Sequence, residues 1–326
     1  MFSTRILWAA LVAAMLATTG AAAQTKIVGS STVSPFAQIA KRRVEERGAS
    51  LTIETTGTSG GFSLFCNGGD ADFAPVALAS RPIKASERAR CAENGAGEIL
   101  EYELGLSGVV IAAKKTRAPL ALTRQDLFLA LAARTPASGT DCRLVDNPRK
   151  SWRDVRPGLP NMPIEVYGPP TTSGTRASFI DLALVAGAQA NSCMQELRAR
   201  DPGAFMKAAT TLRVDGAWID AGENDSVIIA AVTRMPHTLG VIGYPQFARD
   251  AARLSASPID GIAPTRESIG AETYPLSRTL RVYAKKDALA ANPHALAFLD
   301  ELTGPDAIGP DGYLFAEGLI PLNQAP

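Results

Sequence analysis

Residues 166–179 read VYGPPTTSGTRASF. Val166 and Tyr167 read as the end of a strand, the two prolines begin a tight loop, and Ser173 can cap a helix that starts at Gly174. A strand delivered through a short loop into a helix is the repeating unit of an α/β fold. On this reading Arg176 falls in the first helical turn. That is the positive end of the helix dipole, where a cation costs roughly 0.3–1 kcal/mol. An arginine there calls for a negative partner, either a bound anion or a nearby carboxylate.

The same strand–loop–helix unit recurs along the chain. KIVG (26–29) leads into SPFAQIAKRRVEERG (34–48), where Phe36, Ile39, Ala40 and Val44 recur on one helical face. Pro35 suits the first turn and Gly48 the end. LTIETTG (51–57) precedes the helical FSLFCNGG, and IEVYG precedes SFIDLALVAGA. EYELGLSGVVIAAKK (101–115) reads as two strands or one long bent one. SVIIAAVTR is helical, LGVIGY and TLRVYAKK are strands, and a last helix starts near Pro293. The alternation predicts an α/β architecture with mainly parallel sheets. The 326 residues suit about two domains.

Three of these joins share a composition. VGSSTVSPF, TGTSGGFSLF and PTTSGTRASF each hold neighbouring hydroxyl residues and a phenylalanine, and none holds Asp or Glu. Acids are normally favoured in first helical turns. Free N–H groups at a helix start, with Ser and Thr hydroxyls beside them, make a cradle rich in donors for an anion. Taken singly, each loop is an ordinary cap and turn; three acid-free copies in one chain point to a shared ligand. Net charge is only +1, so no bulk field draws nucleic acid or an acidic membrane.

The first 24 residues hold one cation, Arg5, then an apolar run and Ala21-Ala22-Ala23. This is the layout of a cleavable secretory signal, with residues 1–23 removed. The apolar run is short of the ~20 residues a membrane span needs. The four cysteines, Cys66, Cys91, Cys142 and Cys193, fit an oxidising compartment. They allow three pairings. The expected one is Cys66 with Cys91 and Cys142 with Cys193, which keeps each bridge inside one domain and leaves a hinge free. No cysteine pair has zinc-ligand spacing and only two histidines exist, so no metal site and no cofactor are expected.

The sequence resembles the phosphate-binding proteins of bacterial phosphate ABC transporters. The resemblance rests on GSSTVSPF, TGTSGGFSLFCNGGDADFAPVALASRPIKASE, YGPPTTSGTRASF, DGAWIDAGENDSVIIAAVTRMPHTLGVIGY and YPLSRTLRVYAKK, in that order across nearly the whole mature chain. It implies a two-lobed periplasmic-binding-protein fold of type II, with two crossing segments and a ligand cleft between the lobes. Lobe 1 would comprise 24–110 and 277–326, and lobe 2 would comprise 111–276. The crossings would lie near GLSGVVIAA and SRTLRVYAKK. It further implies capture of inorganic phosphate in the periplasm and delivery to a membrane permease with its ATPase. The protein would act as a monomer, without nucleic acid and without catalysis.

By position, the resemblance makes Ser31, Thr32, Ser59, Gly60, Arg81, Ser173, Gly174, Thr175 and Arg176 the phosphate-binding residues. Arg81 stands where many relatives carry an aspartate that accepts the proton of hydrogen phosphate and thereby rejects sulfate. Arg81 resembles the branch of the family with arginine there, so the acceptor would have to come from elsewhere, such as Glu223 or Asp225 in GENDS. Lys84 reads as a surface ion pair. Two other readings compete. The same fold could bind sulfate or molybdate, or serve as a phosphate sensor. GTSGG also satisfies the nucleophile-elbow pattern, making Ser59 a candidate hydrolase nucleophile with His237 or His294 as base.

Overall fold

A computed structural model of the chain describes residues 24–67, 74–137, 142–309 and 311–322. The expected leader, residues 1–23, lies outside the described residues. The strands are β1 Thr25–Gly29, β2 Leu51–Glu54, β3 Val76–Ala79, β4 Ile99–Lys114, β5 Arg134–Pro136 and β6 Leu144–Asp146. They continue with β7 Val166–Gly168, β8 Trp218–Asp220, β9 Leu239–Gly243, β10 Leu254–Ala256 and β11 Ser277–Lys285.

One large sheet runs β2-β1-β3-β11-β4-β9-β7-β8, with β10 alongside β4. β5 and β6 form a separate hairpin. Its two wings are parallel: β1 lies between β2 and β3, and β7 between β8 and β9. The middle is antiparallel, where β11 pairs β3 and β4, and β4 pairs β9 and β10. The expectation of a mainly parallel sheet therefore holds only for the wings. β3 and β9 are buried along their whole length, which is why VALA and LGVIG carry no polar face.

β4 is the single long strand among the two alternatives for 101–115. Its first part pairs β11 from Ile99↔Lys285 to Gly108↔Ser277, and its last part pairs β9 from Val109↔Gly243 to Ala112↔Gly240. The register with β11 slips between Leu280 and Arg281, which partner Gly105 and Glu103. The extra residue bends β4 where it passes from one half of the sheet to the other. Each half has its own core. Ile27, Phe36, Leu78, Leu104, Leu280 and Phe298 pack together on one side. Val109, Leu127, Phe179, Trp218, Leu239 and Leu276 pack on the other. The C-terminal segment joins both: Leu319 belongs to the first core and Ile320 to the second, and Ile320 exchanges backbone hydrogen bonds with Leu106.

Both expected disulfides form. Cys66–Cys91 ties the end of helix Gly57–Phe65 to helix Ala85–Glu93, and Cys142–Cys193 ties the start of the β6 segment to helix Ser192–Arg200. Among the described residues no helix is long and apolar enough to cross a membrane.

Candidate functional site

The three hydroxyl-rich loops leave the C-terminal ends of β1, β2 and β7, and helices Ser34–Glu45, Gly57–Phe65 and Gly174–Phe179 start from them. Loops at the carboxyl ends of parallel strands are where α/β folds place ligands. The structure brings the three together. Thr32 Oγ1 and Thr175 Oγ1 lie 2.9 Å apart, both buried. The Ser59 amide donates to the Thr172 carbonyl at 3.1 Å. Ser178 Oγ donates to the Ser80 carbonyl, and Thr58 Oγ1 accepts from the Ser80 amide.

Two glycines make this approach possible. A Cβ on Gly174 would lie 2.1 Å from Thr58 Oγ1 and 2.2 Å from Ser80 Oγ, so any side chain there would push the two halves apart. Gly57 has φ +73, a conformation L residues seldom adopt, and its Cβ would meet Glu223 Oε1 and the Thr172 carbonyl. Ser173 caps its helix as the sequence predicts, its Oγ accepting from the Thr175 amide at 3.1 Å.

The residue that joins the loops was not singled out from sequence. Arg278, on β11, is 7% exposed. Its Nη2 donates to Thr32 Oγ1 at 3.1 Å and to Thr175 Oγ1 at 3.0 Å, and its Nη1 donates to the Gly174 carbonyl at 3.3 Å. Its Nε is buried without a partner. The guanidinium therefore binds hydroxyls from both halves of the molecule. Burial lowers its pKa to about 10, against the pull of Asp225.

Acids enter from a fourth loop, before helix Asp225–Arg234. Glu223 accepts from Thr172 Oγ1 at 2.6 Å and from Ser31 Oγ at 3.4 Å. Burial raises its pKa and those two hydroxyls oppose the rise. Burial pushes the Asp225 carboxyl up to about 6, while Arg278 and the Gly243 amide pull it down.

Two expected donors are placed otherwise. The Arg176 guanidinium pairs with Asp220 at the end of β8, donates toward the Pro169 carbonyl, and lies 5.4 Å from the centre of the Trp218 ring. The partner of the cation in the first helical turn is thus a carboxylate on the neighbouring strand. Arg81 is clamped by Glu87 through two hydrogen bonds of 2.7 and 2.8 Å, and its Nη2 also donates to Ser59 Oγ at 2.8 Å. Both members of the pair are buried, so this is an interior ion pair and not a surface one. Glu87 also accepts from the Lys84 amide, while the Lys84 side chain is exposed. Gly60 lies in the first turns of its helix, beside Thr56.

This geometry bears on the hydrolase reading. Ser59 Oγ accepts from a guanidinium, which cannot take its proton. His237 precedes the start of β9, whereas Gly243 at its other end faces Thr32, about 13 Å away at 3.3 Å per residue. His294 starts the helix whose cap, Asn292, bonds Thr25 at the beginning of β1, again the end away from the loops.

Two cavities open beside the cluster. One of about 450 Å³ is lined by Ser31, Gln38, Thr55, Glu223, Asp225 and Gln246, among others. A constriction of about 10 Å³ shares Ser31, Asp225 and Gln246 with it and reaches Thr32. Among the described residues, no group of three or more His, Cys, Asp or Glu could hold a metal ion.

A donor cluster between two α/β halves linked by crossing strands is the arrangement of a two-lobed binding protein. The chain belongs to the PBP superfamily domain family, whose model matches residues 16–306. Protein SphX of Synechococcus elongatus is 26% identical over 279 residues, covering 82% of this chain and 71% of that protein. The phosphate-binding protein PstS of Staphylococcus saprophyticus is 25% identical over 272 residues, covering 81% and 70%. The fold matches the crystal structure of an ABC-type phosphate transport receptor from Vibrio cholerae, with TM-score 0.59, 18% identity, and coverage of 91% and 99%.

Proposed function

We propose that this protein captures inorganic phosphate outside the cytoplasm, in the periplasm, and delivers it as a monomer to the permease and ATPase of an ABC transporter. The observation that carries this reading is the Thr32–Thr175–Arg278 cluster, in which hydroxyls from two helix starts and one buried guanidinium converge. The relatives' names support phosphate as the anion. The lobes are 24–110 with 277–326, and 111–276, and they hinge about β4 and β11.

An oxyanion entering the cluster replaces the hydrogen bond between Thr32 and Thr175, and both hydroxyls then donate to it. Ser31, Ser59, Ser173 and the helix-start amides of Gly60 and Gly174 supply further donors. Arg278 supplies the central charge. Arg81 acts through Ser59, and Arg176 stays with Asp220. Charge-assisted hydrogen bonds contribute roughly 1.5–3 kcal/mol each, and several are needed to offset desolvation of a dianion. Asp225, whose carboxyl is raised by burial, accepts the proton of hydrogen phosphate. Sulfate has no such proton to give, so it binds less tightly. The protein performs capture and no chemistry.

Calorimetry of refolded, ligand-free protein tests this. Phosphate should bind with micromolar affinity or better, about −8 kcal/mol, and sulfate at least about tenfold more weakly. Equal affinities would remove Asp225 as the discriminating acceptor. A stripped, folded protein that binds neither ion would defeat the reading.

A further inference from the structure

Besides β4 and β11, a third segment passes between the halves. Residues 313–322 begin in the first core, with Leu314 and Leu319, and end in the second, with Ile320 buried there and Leu322 partly buried against it. The segment is stitched to β4 where that strand changes halves. The Leu106 amide donates to the Ile320 carbonyl at 2.6 Å, and the Ile320 amide to the Leu106 carbonyl at 3.2 Å. Leu106 still pairs with β11, and Val109, three residues on, already pairs with β9. A bend between the halves at this point has to carry the segment with it.

The strap is fastened to the second half only loosely. Nη2 of Arg266, in helix Arg266–Gly270, donates to the Phe315 carbonyl at 3.4 Å and to the Leu319 carbonyl at 3.3 Å, and the guanidinium lies 5.9 Å from the centre of the Phe315 ring. Arg249, in helix Tyr244–Arg249, stands 4.0 Å from Glu317. These are long contacts, beyond the usual range for N–H···O bonds. Beside them a cavity of about 210 Å³ separates residues 315–318 from Tyr244 and Ala248. Tight packing would forbid a shift of the strap on the second half; this space permits one. The same contacts coexist with the Thr32–Thr175 and Ser59–Thr172 bonds that hold the halves together, so they belong to the closed arrangement.

We infer that the strap is a third element of the hinge, and that Arg266 and Glu317 hold the halves closed and thereby set the affinity for the anion from outside its site. This rests on the phosphate-binding reading. A ligand that binds only the closed arrangement is weakened in proportion to the fraction of molecules that are closed. Lowering that fraction to about a third or a tenth raises Kd about threefold or tenfold. Arg249 also lines the constriction at Thr32, whereas Arg266 and Glu317 line neither space beside the donor cluster, so the variants belong on these two.

The test combines small-angle scattering of full-length mature protein, stripped and then saturated with inorganic phosphate, with titration calorimetry. Arg266→Ala should weaken phosphate about three- to tenfold and enlarge the ligand-free protein, while the phosphate-saturated protein keeps the parental size. Arg266→Lys keeps the charge but not the planar stack on Phe315, so both readouts should fall between those of parent and alanine variant. Glu317→Gln, on the half-exposed side of the strap, touches no core and should raise Kd about twofold. A folded Arg266→Ala protein with parental affinity, or with parental ligand-free size, would overturn the inference even if it melts earlier, because Arg266 would then only fasten the C-terminal segment. If the parent itself binds no phosphate, the reading of the ligand is lost, and the ligand-free sizes of parent and variant still decide whether Arg266 holds the halves closed.

Discussion

Arg278→Ala is the substitution that asks most of this site. The guanidinium makes two hydrogen bonds to Thr32 and Thr175 and a third to the Gly174 carbonyl. In the liganded protein the two that now go to hydroxyls would serve the anion. Losing two charge-assisted donors at roughly 1.5–3 kcal/mol each weakens phosphate by about 3–6 kcal/mol, or about 10²- to 10⁴-fold in Kd. Ligand-free stability should fall less. Thr32 and Thr175 still pair with each other, and the cost of burying a cation disappears along with its bonds. A net loss of about 1–3 kcal/mol is expected. Arg278→Lys keeps the charge but not the planar fork, so its affinity should fall between those of Arg and Ala. Calorimetric titration, with thermal melts of stripped protein, reads both quantities. A cycle with Thr175→Val should show coupling, because the two residues share a hydrogen bond. A folded Arg278→Ala protein that binds phosphate within about threefold of the parent would show that Arg278 is only a clamp between the halves.

Three further outcomes are expected. Arg176→Ala should lower the melting temperature of ligand-free protein, since it leaves Asp220 with the Trp218 Nε1 donor but no counter-charge, while leaving phosphate affinity nearly parental; a large affinity loss would instead place Arg176 on the anion. The Asp225 carboxyl sits at about 6 in the folded protein, above its ordinary value near 3.8. Its stabilising contribution is therefore full below about pH 4 and lost as pH rises through about 6. Ligand-free Asp225→Asn should gain melting temperature over the parent at pH 7.5, and the gain should vanish near pH 4. Reducing the bridges removes closures of 25 and 51 residues, worth about 3.5 and about 4 kcal/mol if loop entropy dominates; peptide mapping with stepwise reduction and melts would show it.

Local chemistry in the sequence was readable wherever cause and effect lie close together. The helix starts at Ser34 and Gly174 and the Ser173 cap follow from runs of a few residues, whereas the second helix begins at Gly57, inside the stretch read as strand and turn, and 101–115 left one strand or two open. The partner of Arg81, Glu87, was not named from sequence although it lies only six positions on, in a helix-start pattern where it also accepts from the Lys84 amide. Other features depend on strands that meet only in the fold. Arg176 finds Asp220 because β7 and β8 run side by side, 166 against 218. In SRTLRVYAKK, Arg278 and Arg281 look alike. Arg281 turns to Glu101 and Glu103, and Arg278 turns inward to the hydroxyl cluster. Strand alternation puts Arg278 on the buried face with Leu280 and Val282 and Arg281 on the other face; no local pattern announces that the hydroxyl cluster meets the first of these faces. The antiparallel middle of the sheet was missed for the same reason.

The position of β11 also sets an order of events in folding. It lies between β3 and β4, and residue 285 meets residue 99. Until 277–285 are available, the half of the sheet that begins the chain has a gap between β3 and β4. The other half draws β7, β8, β9 and β10 from one continuous stretch and needs nothing beyond the end of β4 to assemble its strands. The sheet of the half started first is therefore completed only when Ala284 reaches Val76, and such distant pairings are the slow ones. Arg278 rides on that late strand. The Arg278 arm of the proposed site is consequently a late addition, and a chain cut short before β11 would keep the Thr32–Thr175 pair but lack that guanidinium.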